Sequence, residues 1–269
     1  MGHSSDRLAG AVAVVTGVNG LLGPVWSGAL LEAGAVVWGL DVKIDSPNAA
    51  VAALRGRYPD RFHLAAANVV DRASLERARD QILAAGSRPG ILINNAGIDQ
   101  PPRPGVGWRI EEFPWEDFKR VVDVNLGGAF LCSQVFGEAM VAAKAGSIIN
   151  IGSLYASVSP HEGNYDHLPS TPPFLKPPAY GASKAGLLNL THYLAAHWGK
   201  HGVRVNMLSP GGVAGNQDPE FKRKFCARVP LGRMGEYADL TGPLLFLASG
   251  DSGYITGQNL QVDGGYTLW

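Results

Sequence analysis

The stretch at positions 11–34 constrains the fold of this chain more than any other. Residues 11–15 form a continuous apolar, β-rich run, which is typical of a strand covered on both faces in a parallel sheet. Gly17, Gly20 and Gly23 then allow a tight turn, and a helical pattern continues to residue 33 before Gly34 ends it. A helix that begins behind such a turn presents free N–H groups to an anion such as a pyrophosphate. The stretch therefore predicts nucleotide binding in preference to a turn that is merely tight.

The alternation of strand and helix continues along the chain. Strands are predicted at 36–40, 62–66, 91–94, 146–151, 203–208 and 259–262, and helices at 48–57, 73–85, 115–143, from residue 180 onwards and at 236–248. This βαβαβ pattern predicts an α/β fold, a Rossmann-like doubly wound parallel sheet with helices on both faces. No linker divides the chain, so we expect a single domain over residues 1–269.

Composition excludes several classes of partner. Lys plus Arg and Asp plus Glu number 23 each, which gives no electrostatic reason to bind nucleic acid or an anionic membrane, so we expect a small-molecule ligand. The two cysteines, Cys132 and Cys226, form no CxxC pair and are expected to be reduced thiols. Residues 1–8 lack the apolar core of a signal peptide, and no apolar run approaches the ~18 residues that span a bilayer. We expect a cytoplasmic protein.

Asp41 ends the second predicted strand, 18 residues after Gly23. An acid at this position of a dinucleotide-binding fold accepts both hydroxyls of the adenosine ribose and repels a 2′-phosphate. Asp41 therefore favours NAD over NADP, although an ordinary turn aspartate is the alternative and the nearby Lys43 complicates the prediction. Asn68, Val69 and residues 94–97 (NNAG) also follow strands, at the sheet edge where such folds bind ligands, so a binding role is favoured over strand capping.

Tyr180 and Lys184 stand four residues apart at the start of a helical pattern, which places them on one helical face. Lowering the pKa of a tyrosine from near 10 by ~3 units requires ~4 kcal/mol of preferential stabilisation of the phenolate. One cation ~4 Å away supplies about that much at an effective dielectric constant of ~20. We therefore expect Lys184 to lower the pKa of Tyr180 and make it a proton donor and acceptor. The pair alone is weak evidence, because the same spacing also arises by chance.

Taken together, these residues resemble the short-chain dehydrogenase/reductase family over essentially the whole chain. The matching segments occur in the family's order: residues 16–23, residues 94–97, Asn125, Ser153, Tyr180 with Lys184, Pro210-Gly211 and residues 255–265. The resemblance implies that Tyr180 is the general acid/base, that Ser153 bonds the substrate oxygen and that Asn125 anchors a water in a proton relay. It also implies that Lys184 holds the nicotinamide ribose and that the protein is a homotetramer. The implied cofactor-binding residues are Gly17, Asn19, Gly20, Leu22, Gly23, Asp41, Asn68, Val69, Asn95, Ala96, Gly97, Tyr180, Lys184, Pro210, Gly211, Gly212 and Val213.

The chain departs from the family pattern in its cofactor segments. Leu21 stands where the single-domain branch usually has a glycine, and Gly20 precedes it. Asn68 replaces an aspartate that is common near the adenine, which should weaken that contact. Gly215 falls where a threonine usually touches the cofactor carboxamide, and we expect Asn216 to substitute for it.

The interval between Ser153 and Tyr180 is 27 residues, about twice the usual family gap. We expect an insertion at about 155–178 that is ordered beside the active site and shapes the substrate pocket, with a floppy surface loop as the alternative. Its two histidines lack a third ligand, so no metal is expected. The expected substrate residues are Ser153, Tyr155, His161, Tyr165, Asn216 and Gln217, a polar and aromatic set that suits a polyhydroxylated molecule. The insertion and residues 209–221 resemble a subgroup associated with sugar and acidic-sugar biosynthesis.

Three functions fit these expectations. The first is an NAD-dependent oxidoreductase that interconverts a secondary alcohol and a ketone on a sugar-like or cyclitol-like molecule. The second is a 3-oxoacyl or ketone reductase that uses NADPH. The third is a nucleotide-binding scaffold or regulatory protein without catalysis, against which the intact set of Asn125, Ser153, Tyr180 and Lys184 argues.

Overall fold

A single parallel sheet of seven strands organises the protein. In a computed structural model that describes residues 7–103 and 106–269, the strands run in the order β3-β2-β1-β4-β5-β6-β7. The strands are β1 (Val12–Thr16), β2 (Val36–Asp41), β3 (Phe62–Ala66), β4 (Ile91–Asn94), β5 (Gly146–Ile151), β6 (Val203–Pro210) and β7 (Asn259–Val262). The order reverses between β1 and β4, which creates the crevice in which doubly wound sheets bind ligands. The predicted fold class is confirmed.

Helices cover both faces of the sheet. They are α1 (Gly23–Glu32), α2 (Ala49–Arg57), α3 (Arg72–Ala84), α4 (Trp115–Val122), α5 (Ala129–Ala143), α6 (Pro178–Trp198), α7 (Pro219–Cys226) and α8 (Tyr237–Ala248). One core forms around Trp26 and Leu30 of α1 and Leu244 of α8. A second core forms on the opposite face around Leu75 of α3 and Phe136 of α5. The five central strands β2, β1, β4, β5 and β6 are thus mostly buried on both faces, which explains their continuous apolar runs, whereas the edge strands β3 and β7 are partly exposed.

The predicted helix at 115–143 contains a π-helical segment. Residues Asp123–Gly128 separate α4 from α5 without ending the helix, and this segment carries Asn125. Gly128 also lies here, where an added Cβ would meet Val69 Cγ2 at 2.7 Å, so the helix approaches the end of β3 closely. By length and composition Trp115–Ala143 qualifies as long and apolar enough to cross a membrane, but a core helix passes the same test and 44% of its most apolar window is buried here.

The insertion at about 155–178 packs against the body of the protein. It contains two short 3₁₀ turns, Leu154–Ala156 and Glu162–Asn164, and is otherwise irregular. The ring of Tyr165 lies 5.1 Å from Phe174 within the insertion and 5.3 Å from Phe221 of α7. The expectations for the N-terminal stretch and for the whole-chain domain include residues 1–6, which lie outside the described residues.

Candidate active site

Two cavities meet at the carboxyl edge of the sheet. The first, here called the edge cavity, has a volume of about 690 Å³ and runs from Gly17 and Asp41 past Asn95 to Pro210. The second, here called the insertion cavity, has a volume of about 800 Å³ and lies between the insertion and α7. The side chains and backbone at their junction line both cavities: Leu21, Asp99, Ser153, Tyr180, Gly211 and Gln217.

The glycine turn is shaped by backbone contacts. Gly17 has φ of 67°, and a Cβ there would meet Ala96 Cα at 2.7 Å, so the turn and the segment after β4 are in direct backbone contact. Gly23 is required for packing instead, because its Cβ would meet Val18 O at 2.4 Å. Gly23 does not line the edge cavity, whereas Gly17 does. Gly23, the first residue of α1, therefore sets the position of the helix behind the turn. The lining of the edge cavity does not include it, so its contact with the cofactor stays a prediction.

Asn95 braces the same turn. Its Nδ2 donates to Thr16 O at 2.9 Å and to Gly17 O at 3.0 Å, and its Oδ1 accepts from Trp26 Nε1 at 2.8 Å. The neighbouring Asn94 is buried and donates to Asn150 Oδ1 at 2.8 Å. These two amides therefore hold strands and the turn together, as the strand-capping alternative expects. Asn95 also lines the edge cavity, so its role in binding the cofactor stays a prediction.

Asp41 lines the edge cavity and keeps acceptor capacity beyond its contacts with the described residues. Its Oδ2 accepts from the Asn19 backbone N–H at 3.0 Å, and Lys43 N approaches Oδ1 at 3.5 Å. The Asn19 side chain is held by Asn48, whose backbone N–H donates to Asn19 Oδ1 at 3.1 Å. Since a carboxylate has about four lone-pair sites, Asp41 retains acceptors that face the cavity.

Most of the predicted cofactor residues line one continuous cavity. Those in the lining of the edge cavity are Gly17, Asn19, Gly20, Leu22, Asp41, Asn68, Val69, Asn95, Ala96, Gly97, Tyr180, Lys184, Pro210, Gly211 and Val213. Gly212 faces the insertion cavity instead, where Phe225 lies against it.

Tyr180, Lys184 and Ser153 come together at the junction. Lys184 Nζ lies 5.6 Å from the centre of the Tyr180 ring and donates to Ile151 O at 2.7 Å. Burial raises the pKa of Tyr180, and the charge of Asp99 raises it further, while the adjacent Ser153 hydroxyl acts in the opposite direction. Burial also lowers the pKa of Lys184 to about 8. The lower Tyr180 pKa expected from the four-residue spacing is therefore outweighed by desolvation of the phenol.

Asn125 bonds to protein groups through both ends of its amide. Its Oδ1 accepts from Ile98 N at 2.7 Å, and its Nδ2 donates to Ile98 O at 3.0 Å and to Ser183 Oγ at 3.1 Å. The side chain thus ties the π-helical segment to α6 and to the residues after β4. The side chain of Asn125 is 1% exposed, so it is buried in the protein and not part of a cavity wall. Through its two bonds to Ile98 it positions the neighbouring Gly97 and Asp99.

The predicted substrate residues separate into two groups. Tyr155, Tyr165, Asn216 and Gln217 line the insertion cavity, and burial raises the pKa of Tyr165 to about 12. The amide of Gln217 is already bonded to the backbone of its own loop. His161, which immediately precedes the 3₁₀ turn Glu162–Asn164, is exposed and lines neither cavity. His167 takes a place in the lining, with Nε2 2.9 Å from Asp218 Oδ1.

The lining of the insertion cavity is more apolar than the sequence predicted. The residues that create this character are Leu168, Phe174, Phe221, Phe225 and Met234. They come from the insertion, from α7 and from the segment after it, so no local pattern marks them as neighbours.

Sequence reasoning also missed Asp99 and Lys176. Lys176 Nζ donates to Asp99 Oδ1 at 2.6 Å and to Oδ2 at 2.8 Å, and it lies 5.5 Å from the centre of the Tyr180 ring. Asp99 was open to prediction, because it follows the NNAG segment at the edge of the sheet. Lys176 sits in an irregular, proline-rich stretch and had no such signal.

Comparisons with known proteins agree with this geometry. A family model described as enoyl-(acyl carrier protein) reductase matches residues 22–267. A galactitol 2-dehydrogenase from Rhizobium johnstonii is 36% identical over 270 residues, which cover 98% of this chain and 97% of the relative.

Two solved structures share the fold and more than a quarter of the sequence. A short-chain dehydrogenase from Leptospira borgpetersenii with bound NAD⁺ has a TM-score of 0.85 and 33% identity, covering 99% of this chain and 96% of the other. A gluconate 5-dehydrogenase from Burkholderia cenocepacia in complex with NADP and tartrate has a TM-score of 0.84 and 30% identity, covering 99% and 98%. With full-length relatives at this identity, the chain belongs to the short-chain dehydrogenase/reductase family of NAD(P)-dependent oxidoreductases.

Proposed function

We propose that the protein interconverts a secondary alcohol and a ketone on a polar, sugar-like or cyclitol-like small molecule, with NAD as cofactor and Tyr180 as the general acid/base. The observation that carries the proposal is the position of Tyr180, whose side chain borders both the edge cavity and the insertion cavity. The group that exchanges the proton of the substrate oxygen while a hydride passes to the cofactor must lie where the substrate space and the cofactor space meet.

The residues present fit a nicotinamide dinucleotide in the edge cavity. Gly17 allows close backbone approach, Asp41 offers acceptors for ribose hydroxyls, and Lys184 offers a buried ammonium beside Tyr180. When bound, the nicotinamide ring accepts or supplies the hydride. The remaining chemistry belongs to the chain.

In the direction of oxidation, Tyr180 takes the hydroxyl proton of the substrate while the carbinol carbon loses its hydride and the C=O bond forms. Ser153 bonds the substrate oxygen, which gains negative charge as the proton leaves. The raised pKa of Tyr180 makes its phenolate costly, so the positive charge of Lys184 is needed to stabilise that state. Asn125 acts on this site by position, through Ile98 and Ser183.

NAD is proposed over NADP because of Asp41. A carboxylate beside the 2′ position repels a phosphate and accepts a hydroxyl. Relatives of this chain are seen with either cofactor, NAD⁺ in one structure and NADP in the other, so the preference rests on Asp41 alone.

A polyol-type substrate is supported by the similarity to galactitol 2-dehydrogenase and by polar groups near the junction, Asp99, Ser153 and Lys176. One observation favours a second candidate, a ketone or 3-oxoacyl reductase that uses NADPH. The aromatic part of the insertion-cavity lining, Phe174, Phe221 and Phe225, suits an apolar chain better than hydroxyls, and the matching family model is described as enoyl-(acyl carrier protein) reductase.

We also propose a cytoplasmic homotetramer built from one domain per chain. Large apolar side chains exposed near the C terminus, Tyr254, Leu268 and Trp269, are of the kind that subunit contacts cover. Light scattering of the purified protein tests this proposal, because a monomer at micromolar concentration would contradict it.

The test of function is turnover across a substrate panel. Neutral hexitols, inositols, aldonates and 3-hydroxyacyl thioesters are each offered with NAD⁺ and with NADP⁺, and absorbance at 340 nm is followed. The proposal predicts the highest kcat/KM for a polyol with NAD⁺. Preferential turnover of a 3-hydroxyacyl thioester with NADP⁺ would replace it with the second candidate.

A further inference from the structure

Asp99 and Lys176 form an ion pair at the mouth of the site that the catalytic roles above do not use. Both residues line the insertion cavity, and Asp99 also lines the edge cavity. Asp99 follows β4 and is fixed by the contact of Asn125 with the preceding Ile98, while Lys176 comes from the end of the insertion two residues before α6. The pair therefore sits where the reacting part of a substrate must lie.

The two partners differ in exposure. The side chain of Lys176 is 7% exposed, whereas that of Asp99 is 47% exposed, so the carboxylate faces the cavity and the ammonium lies behind it. Asp99 Oδ1 accepts from Lys176 and from the Gln100 backbone N–H at 2.8 Å. Within residues 7–103 and 106–269, Oδ2 accepts a single bond, from Lys176 at 2.8 Å, and one of its acceptor sites remains available there.

We propose that Asp99 is a specificity-determining residue that accepts a hydrogen bond from a hydroxyl next to the reacting carbon and thereby selects neutral polyols over aldonates and uronates. The inference rests on the proposed polyol oxidation and deepens it. A hydroxyl neighbouring the carbinol donates to Oδ2, and Lys176 holds the carboxylate in the one orientation that receives it.

The same group disfavours acidic substrates. A substrate carboxylate near the reacting carbon meets the exposed Asp99 oxygen, and Lys176 is already bound to that residue at both oxygens, which leaves it poorly placed to compensate. The relatives include enzymes named for a neutral polyol and for an aldonate, and Asp99 places this chain with the former.

The test compares galactitol, galactonate and cyclohexanol in the wild type, Asp99→Asn and Lys176→Met. The asparagine presents a donor in place of the free acceptor and releases Lys176 for a substrate carboxylate. For Asp99→Asn we expect kcat/KM for galactitol to fall about 10- to 100-fold, the range for a hydrogen bond to a charged acceptor, and the galactonate to galactitol ratio to rise at least 10-fold. Cyclohexanol, which has no neighbouring hydroxyl, reports what the loss of the Asp99 charge does to Tyr180 with any substrate. The galactitol to cyclohexanol ratio of kcat/KM removes that common effect and should fall at least about 10-fold. Lys176→Met moves the galactonate to galactitol ratio in the opposite direction.

Asp166→Asn is the matched control. Asp166 pairs with Lys224 and also tethers the insertion to the body, but it lines neither cavity. A purely structural effect of losing a tether would appear in both variants and in all three substrates. Calorimetry of the complex with NADH gives the dissociation constants of galactitol and galactonate without turnover. A protein that does not oxidise polyols can therefore still be tested for the selectivity that this inference predicts. An unchanged galactonate to galactitol preference in Asp99→Asn, in binding and in turnover, overturns it.

Discussion

Replacing Asp41 with asparagine is the most informative single change to the edge cavity. Asparagine keeps the size of the side chain and an oxygen that accepts from Asn19 N, a contact of 3.0 Å in the structure. The variant therefore removes the charge while leaving the turn between β1 and α1 braced, and its effect on cofactor choice is electrostatic.

The size of the effect follows from Coulomb's law. At ~5 Å and an effective dielectric constant of ~40, which is between surface and bulk values, a carboxylate and a phosphate dianion repel by about 3 kcal/mol. Removing the charge should therefore improve NADPH binding by about two orders of magnitude at low salt. NADH binding should weaken by about 5-fold, because the ribose hydroxyls lose a charged acceptor for a neutral one. Salt should reduce the NADPH effect, since Asp41 is only partly buried.

Fluorescence titration of NADH and NADPH gives both dissociation constants directly. Asp45→Asn is the control, because Asp45 lies on the same loop, is exposed and does not line the edge cavity. If Asp41→Asn leaves the affinity for NADPH unchanged, the carboxylate is not beside the 2′ position and the argument for NAD is refuted.

Three further substitutions test the packing of the site. Lys184→Met should abolish turnover yet raise the free energy of unfolding at pH 7 by about 1–2 kcal/mol, because burial holds the pKa of Lys184 near 8 and penalises its charge. That penalty is present below pH 8 and disappears as the pH rises towards the unfolded value of 10.5, so urea denaturation should show the advantage of the variant shrinking between pH 8 and 10.5. Gly17→Ala should cost about 3 kcal/mol in the same assay, since it combines a positive φ with contact at Ala96 Cα, and an unchanged midpoint would contradict the turn geometry. Asn125→Ala should lower the free energy of unfolding by about 2–4 kcal/mol and should also reduce kcat, because the backbone N–H and C=O of Ile98 lose their partners. A second-site mutation that restores stability but not kcat would separate the two effects.

Sequence patterns determined the fold well because the signals are local. Every predicted strand is present to within two residues, since buried parallel strands read as unbroken apolar runs and glycines mark their ends. The π-helical segment around Asn125 was not predicted; the amide of Asn125 bonds there to a residue after β4 and to one on α6, both far away in the sequence. Nothing in the local sequence encodes those distant partners.

The sequence identified most residues of the candidate site but not the environment that determines what each one does. Tyr180 and Lys184 share a helical face as their spacing requires, but the balance of their pKa values depends on burial, which spacing does not report. In the insertion, polarity suggested His161, whereas the chain path places His167 in the cavity and turns His161 outward. An irregular segment has no periodicity from which side-chain direction can be read.

The central claim is that the Tyr180 phenol moves the substrate proton. It is tested most directly by comparing the wild type with Tyr180→Phe, using the best polyol of the panel and saturating NAD⁺ at 340 nm, with NADH binding measured in parallel. The loss of the phenol should reduce kcat by about 10²- to 10⁴-fold while the NADH dissociation constant changes less than about 3-fold. A Tyr180→Phe variant that produces NADH at the wild-type rate would contradict the account.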